Sequence, residues 1–167
     1  MKWTKAELLR NAQNVDFSED IEIDDLAFAN NSGIVSTEGV HVDGNGYLNE
    51  SDDTFYVTMH IVGTMICPDS ITSEEVEVPF EIDTQETYSF VDTDEDGVRI
   101  VEDDEIDLMQ AIIDEIIMDV PLQVTLAEEG DYPEGDGWKV YSEADYQKMQ
   151  EEEIDPRLAK LKEFKEE

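Results

Sequence analysis

The fold is decided by residues 55–65, FYVTMHIVGTM, in which apolar and mixed side chains alternate. One face of the extended chain is formed by Phe55, Val57, Met59, Ile61 and Met65. A side-chain period of two is typical of a β-strand that is buried on one side. This stretch therefore predicts a long strand, and the neighbouring segments predict what it pairs with.

Those neighbouring segments predict further strands. Residues 75–82 alternate in the same way, and Pro79 favours an edge position because proline has no backbone N–H to donate. Residues 88–91 predict another short strand. On the N-terminal side, Asp43-Gly44-Asn45-Gly46 lies between apolar pairs and predicts a hairpin turn. We therefore expect a mainly antiparallel sheet.

Helical patterns lie before and after the predicted strands. Thr4-Lys-Ala-Glu7 has the form of a capping box and predicts a helix to about Gln13. Residues 104–120 keep helical apolar spacing with acids in the first turn, and Pro121 ends that helix. Asp155-Pro156 places a cap and a proline at the start of a last short helix.

Length and composition favour one domain, residues 1–167. The hydrophobic fraction of 40% is enough for one core. The expected fold is α+β, with a mainly antiparallel sheet, open or barrel-like, and two or three packed helices. A single cysteine cannot form an internal disulfide, and no apolar run is long enough to span a membrane. The expected compartment is the cytoplasm, and no cofactor is expected.

Acidic side chains dominate the body of the chain. Ten Lys and Arg against 45 Asp and Glu give a net charge of −35. Residues 11–138 contain 35 acids and one basic residue, Arg99. Such a body repels phosphate backbones and attracts basic proteins. Surface acid that only maintains solubility is the alternative explanation, and under either one nucleic-acid binding through the body is disfavoured.

Three segments resemble, in the same order, the bacterial YceD/YlbN family, which is associated with accumulation of ribosomal RNA. The first is Ile61–Cys67, similar to a family strand that runs into a Cys-x-Arg-Cys-Leu motif. The second is the Asp107-Leu108 helix that ends at Pro121. The third is Asp155-Pro156-Arg157-Leu158-Ala159, like the C-terminal helix of the family.

The resemblance implies a factor that supports accumulation of 23S rRNA and assembly of the large ribosomal subunit. Charge favours a route through protein, with a basic ribosomal protein or an assembly factor as the partner, and RNA contact only through terminal cations. An acidic interaction module or nucleic-acid mimic that binds a basic protein is the alternative. The chain has no phosphate loop, no Gly-x-Ser-x-Gly and no His-Glu-x-x-His, so an enzyme is disfavoured.

The chain departs from the family at the cysteine motif. It has Cys67-Pro68-Asp69-Ser70-Ile71 there, and residues 130–137 contain no cysteine. The thiolate metal role that the family's cysteines suggest is therefore not expected here. Cys67 is expected to be a partly buried core thiol, and His41 and His60 are expected to be structural or surface residues.

Residues 92–97 match the first half of a calcium loop, with acids at its first, third and fifth places and then Gly97. The twelfth place is Asp103 where calcium loops have Glu, and a strand, not a helix, is predicted before it. A solvated acidic loop is the better interpretation.

The terminal cations are the candidate binding residues. They are Lys2, Lys5 and Arg10 near the N-terminus, and Arg157, Lys160, Lys162 and Lys165 near the C-terminus. They either dock on the acidic body of the same chain, which is the favoured interpretation, or contact rRNA or an acidic partner. Arg157 is the strongest single candidate.

Overall fold

The computed structural model describes residues 1–126, 132, 134–141 and 146. In chain order, its elements are β1 (Lys2–Thr4), α1 (Lys5–Arg10), β2 (Asn14–Ile21), a 3-10 helix (Asp25–Phe28), β3 (Ser36–Asn49), β4 (Thr54–Pro68), β5 (Glu75–Ser89), β6 (Val98–Ile100), β7 (Glu105–Asp107), α2 (Met109–Asp119), β8 (Glu134–Gly135) and β9 (Trp138–Lys139).

A five-stranded sheet is the main feature, with strand order β2-β3-β4-β5-β6. Its first four strands are antiparallel and β6 runs parallel to β5. β1 and β7 form a separate antiparallel pair, as do β8 and β9. Within the described residues β2 and β6 do not pair with each other, so the sheet is open and the barrel-like alternative is not supported. The mainly antiparallel sheet is confirmed.

One face of this sheet forms the core. The alternation that predicted β4 is confirmed, since Phe55, Met59 and Ile61 have no exposed side-chain surface. Residues from the helices, from β7 and from the N-cap of α2 lie in the same buried cluster, namely Leu8, Phe28, Ile106, Leu108, Ile112 and Ile116. The opposite face of the sheet carries polar side chains, which is typical of a half-buried antiparallel sheet.

The hairpin turn predicted at residues 43–46 is wrong. β3 continues through these residues, and the chain turns instead after Asn49. The glycines are there for packing: a Cβ on Gly46 would overlap the Phe55 ring, and one on Gly44 would meet the Phe17 ring and the Thr58 backbone. Glycine in a strand interior often marks such close approach.

The first helix is shorter than predicted, although its start is confirmed. Glu7 N donates to Thr4 Oγ1 at 3.3 Å and Thr4 N donates to Glu7 Oε2 at 2.9 Å, which completes the capping box. The helix ends at Arg10 because Ala12 and Gln13 adopt left-handed φ angles of 54° and 66°. Trp3 lies in β1 and its ring packs 5.4 Å from that of Phe17.

The second helix starts five residues later than predicted. Residues 105–107 pair with β1 instead, and no acid lies in the first turn of α2. Asp107 precedes the helix and accepts from Met109 N at 3.0 Å. The end before Pro121 is confirmed, since α2 stops at Asp119. The helix predicted from Asp155 lies outside the described residues.

The strands predicted at 75–82 and 88–91 are one strand, β5. Pro79 pairs with Thr64 of β4, and β6 joins the other side of β5 only at residues 87–89. Pro79 therefore lies on a part of β5 with one neighbouring strand among the described residues, which fits the predicted edge position.

Candidate interaction surfaces

The N-terminal candidate cations lie on or beside α1. Lys2 Nζ lies 3.1 Å from Asp107 Oδ2 and 3.4 Å from Glu105 Oε1. The hydrogen bond with Asp107 is the main reason why the pKa of Lys2 is raised. Lys5 Nζ lies 2.7 Å from Asp53 Oδ1 and 5.2 Å from the centre of the Phe90 ring. Arg10 is exposed on the last turn of α1.

Lys2 and Lys5 are thus occupied by acids of the same chain, as in the favoured intramolecular interpretation. The pairs are partly exposed and exchangeable, so the role of these residues in binding stays a prediction. The remaining candidates, Arg157, Lys160, Lys162 and Lys165, lie outside the described residues, as do Asp155 and Pro156.

Arg99 joins three elements. Its Nε donates to Glu86 Oε2 at 3.0 Å and its Nη1 donates to Asp114 Oδ2 at 2.9 Å. Glu86 lies on β5 with 11% of its side chain exposed, and Asp114 lies on α2. The hydrogen bond to Glu86 is the main reason why the pKa of Arg99 is raised. The sequence showed Arg99 as an isolated cation, and only the topology shows what it holds together.

Two of the family-like positions, Cys67 and Pro121, lie where β4 and α2 end. Cys67 is fully buried in β4, and this burial raises its thiol pKa. A cavity of about 280 Å³ is lined by residues from both segments, including Pro68, Asp69, Ser70, Pro121 and Val124. Asp107 lies at the other end of α2, where burial raises its pKa but hydrogen bonds from Met109 N and Lys2 outweigh this and lower it.

Asp69 is the hydrogen-bonded centre of this region. It is 4% exposed, and its carboxylate accepts from Ile71 N at 2.8 Å, Thr72 N at 3.0 Å and Leu126 N at 2.7 Å. The Thr72 and Ile71 amides are the largest cause of a pKa of about 2 for this carboxyl. Ser70 adds two bonds, since its N donates to Val124 O and its Oγ accepts from Val124 N.

These bonds connect the β4–β5 loop to the segment that follows Pro121. In the resembling motif, the positions of Asp69 and Ser70 belong to Arg and Cys. In this chain the same loop is held by a carboxylate and a hydroxyl, with no thiolate involved. Nothing in the order of the residues indicates that Asp69 connects these two segments, because Leu126 lies 57 residues away.

The polar face of the sheet, here called the outer face, is anionic. β2, β3, β4 and β5 contain no Lys or Arg. Acids on this face include Asp16, Asp20, Asp43, Glu81 and Asp83. These four strands thus place no Lys or Arg beside the carboxylates, and two histidines on the same face contact some of them.

Both histidines are on the outer face and each contacts an acid on an adjacent strand. His41 Nδ1 lies 2.7 Å from Asp20 Oδ1, and His60 Nδ1 lies 2.8 Å from Asp83 Oδ1. The hydrogen bond to Asp83 is the largest cause of a raised pKa for His60. β3 and β4 are neighbours, but the register places His41 opposite Val62 and His60 opposite Asp43. Their separate acid partners fit the expected structural or surface role.

A groove of about 440 Å³ lies at one end of the outer face. It is lined by residues of β4, β5, β6 and the loops beside them, namely Asp52, Thr54, Tyr56, Thr87, Ser89, Val91, Thr93, Glu95 and Val98. Tyr56 pairs in register with Tyr47 on β3, and each is 45% exposed.

The calcium-like stretch, residues 92–97, connects β5 to β6. Its acids are mostly exposed, and Gly97 has a φ of 80° at the turn into β6. A strand precedes it, as predicted, and Arg99 is held by Glu86 and Asp114. In the part of the chain that the structure describes, no three His, Cys, Asp or Glu side chains are grouped to hold a metal ion. Among the same residues no helix is long and apolar enough to cross a membrane.

The described residues define a strongly acidic, sheet-rich protein with few helices, built on an open, mainly antiparallel sheet with an anionic outer face. Its family follows from comparison with known proteins. A family model described as large ribosomal RNA subunit accumulation protein YceD matches residues 57–165. The chain belongs to this family.

A relative of full length supports the assignment. The uncharacterized protein YlbN of Bacillus subtilis (strain 168) is 37% identical over 169 residues, which cover 96% of this chain and 94% of the relative. No solved structure matches the chain.

Proposed function

We propose that this protein is a non-enzymatic factor that supports accumulation of large-subunit ribosomal RNA, and thereby assembly of the large ribosomal subunit. Membership of the YceD family is the observation that carries the proposal, because the family is named for this role. The compartment that fits the proposal is the cytoplasm.

The anionic outer face favours action through a basic protein. Four strands without Lys or Arg present only carboxylates, histidines and neutral groups. RNA approaching this face would meet like charge, whereas a Lys- and Arg-rich protein would gain attraction and a faster encounter. Lys2 and Lys5 are paired with acids of this chain and would have to exchange partners before they could bind phosphate.

Any RNA contact is therefore assigned to cations that remain predictions, with Arg157 first among them. A basic ribosomal protein or an assembly factor with an exposed basic segment is the proposed partner.

The same outer face supports a second candidate function. An acidic module or nucleic-acid mimic that sequesters a basic protein would need the same surface, without any connection to ribosomes. Both functions predict binding of basic proteins, so such binding alone does not separate them. Sedimentation of cell extracts does: the assembly factor co-migrates with large-subunit precursors, whereas the unrelated module stays at the top of the gradient.

The test is the ratio of large- to small-subunit ribosomal RNA in cells depleted of the protein. We expect a selective fall in the large-subunit RNA, restored by re-expression of the wild-type chain. An unchanged ratio would reject the ribosomal function and leave the acidic module. Re-expression of Arg157→Gln, with Arg157→Lys as the matched variant that keeps the charge, tests whether the cation at this position contributes.

A further inference from the structure

Among the described residues, no strand covers the outer edge of β5 over most of its length. β5 is paired with β4 from Glu75 to Ser89 without a register shift, while β6 covers its other side only at residues 87–89. No other described strand pairs there. Residues 75–85, here called the β5 edge, therefore present one side of an extended backbone.

Two hydrogen bonds show which backbone groups face this edge. Phe90 N donates to Asp53 O, and the continuous register makes these two residues opposite, so even-numbered positions of β5 face β4. Val101 N donates to Ser89 O, so odd-numbered positions face away from β4. The residues that direct their backbone groups to the open edge are therefore Glu75, Glu77, Pro79, Glu81, Asp83 and Gln85.

This orientation of the backbone groups explains why β5 tolerates a proline at position 79. Its missing N–H would have faced the open edge, so no hydrogen bond with β4 is lost. The other five edge-facing residues keep an N–H, and all six keep a carbonyl. No backbone hydrogen bond from the described residues reaches these groups.

The side chains at the same positions determine which partner suits the edge. All six are exposed and four are acidic, with Glu81 73% and Asp83 83% exposed. A second copy of the chain would place acids against acids, which disfavours self-pairing. A strand with Lys or Arg on that face would pair with opposite charge.

We propose that the β5 edge binds an extended Lys- and Arg-rich segment of a basic protein, which adds to the sheet as a sixth strand. Backbone hydrogen bonds to the edge-facing groups supply affinity, and alternate basic side chains contact the acids beside them. This inference rests on the proposed function, because it specifies how the basic partner is recognised. The other edge strand, β2, lies at the opposite end of the sheet and is shorter than β5. The Met1 amino group of this chain already lies 3.8 Å from Glu19 on β2.

The experiment uses the full chain and a labelled ten-residue peptide of alternating lysine and valine. Two further peptides carry N-methyl groups on the backbone, one peptide at every lysine and the other at every valine. The charge of the peptide is unchanged, and the backbone N–H donors of either the lysines or the valines are removed. In a strand only one of these sets faces the β5 edge. One methylated peptide is therefore expected to bind at least about tenfold more weakly than the other, measured by fluorescence anisotropy at fixed salt. Equal affinities would overturn the proposal and leave a charge-driven basic partner, and with it the proposed function, in place.

A matched pair of variants tests the edge from the protein side. Glu81→Gln and Glu81→Pro both remove one charge, but only the proline also removes an edge-facing N–H. Pro79 also directs its backbone to the open edge and is accommodated there. Both variants are therefore expected to fold. We expect Glu81→Pro to bind the unmethylated peptide about threefold to tenfold more weakly than Glu81→Gln. Equal binding would count against strand addition.

Hydrogen exchange gives a readout that does not depend on variants. Peptide binding is expected to slow exchange at the amides of Glu77, Glu81 and Asp83, which face the open edge. Slowed exchange at other surfaces, without slowed exchange at these three amides, would overturn the proposal. So would protection of these amides at raised protein concentration without peptide, because that result would identify a second copy as the occupant.

Discussion

Replacement of Arg99 by methionine tests the most connected ion pair in the described structure. Arg99 makes three hydrogen bonds, two to Glu86 and one to Asp114, and so ties β6 to β5 and to α2. Methionine keeps much of the aliphatic length and removes the charge. The two carboxylates would then lose their shared cation.

The expected cost follows from the exposure of each partner. Breaking a buried pair costs about 3–5 kcal/mol, whereas an exposed pair is worth about 0.2–1 kcal/mol. Glu86 is 11% exposed and lies near the first case, but Arg99 and Asp114 are 31% and 36% exposed. We therefore expect Arg99→Met to lower the free energy of unfolding by about 2–3 kcal/mol, below the fully buried value.

Urea unfolding at fixed ionic strength measures this cost. Arg10→Met is the control, because Arg10 is exposed, and should change stability by less than about 0.5 kcal/mol. A double variant, Arg99→Met with Glu86→Gln, should be more stable than the sum of the single effects predicts, by at least about 1 kcal/mol. A cost below about 0.5 kcal/mol for Arg99→Met, or no coupling with Glu86, would refute the reasoning.

Three further predictions concern packing and titration. Gly46→Ala should lower stability by about 1–3 kcal/mol in urea unfolding, because the new methyl group overlaps the Phe55 ring; an unchanged midpoint would contradict this packing. Asp69 has a folded-state pKa of about 2 against 3.8 for an unperturbed Asp carboxyl, so its contribution to stability is complete above about pH 4 and is lost as the pH falls through about 2. The stability of Asp69→Asn should thus be lower than wild type at pH 7, with the difference narrowing toward pH 2; a difference independent of pH would argue against a charged Asp69. The His60 ring should titrate above 6.5 by NMR and move back toward that value in Asp83→Asn, and no change in this variant would exclude Asp83 as the cause.

The sequence predicted those parts of the fold that depend on local pattern. Alternation identified β4, and the Thr4–Glu7 capping box identified the start of α1, because both signals lie within a few residues. The glycines at 44 and 46 misled the prediction, because a local turn signal and a packing requirement use the same residue. The start of α2 was misplaced because residues 105–107 pair with a strand 100 residues away.

The contacts within the candidate surfaces could not be predicted from local pattern, because they depend on the topology of the fold. Leu126, which donates to Asp69, and Glu86 and Asp114, which accept from Arg99, lie on other segments of the chain, and nothing in the order of the residues indicates these contacts. The direction of the backbone groups at Pro79 likewise required the register of β4 and β5. Charge, in contrast, was available from composition, and it already favoured a basic partner over RNA.

Zero-length crosslinking of the full-length protein in large-subunit precursor fractions tests the central claim most directly. A carbodiimide joins carboxylates to lysines in direct contact, whereas ultraviolet light joins protein to RNA. The account predicts carbodiimide links from the carboxylates of this chain, including those of the β5 edge, to lysines of a basic protein. Links to ribosomal RNA under ultraviolet light, without any carbodiimide link to a protein, would contradict it.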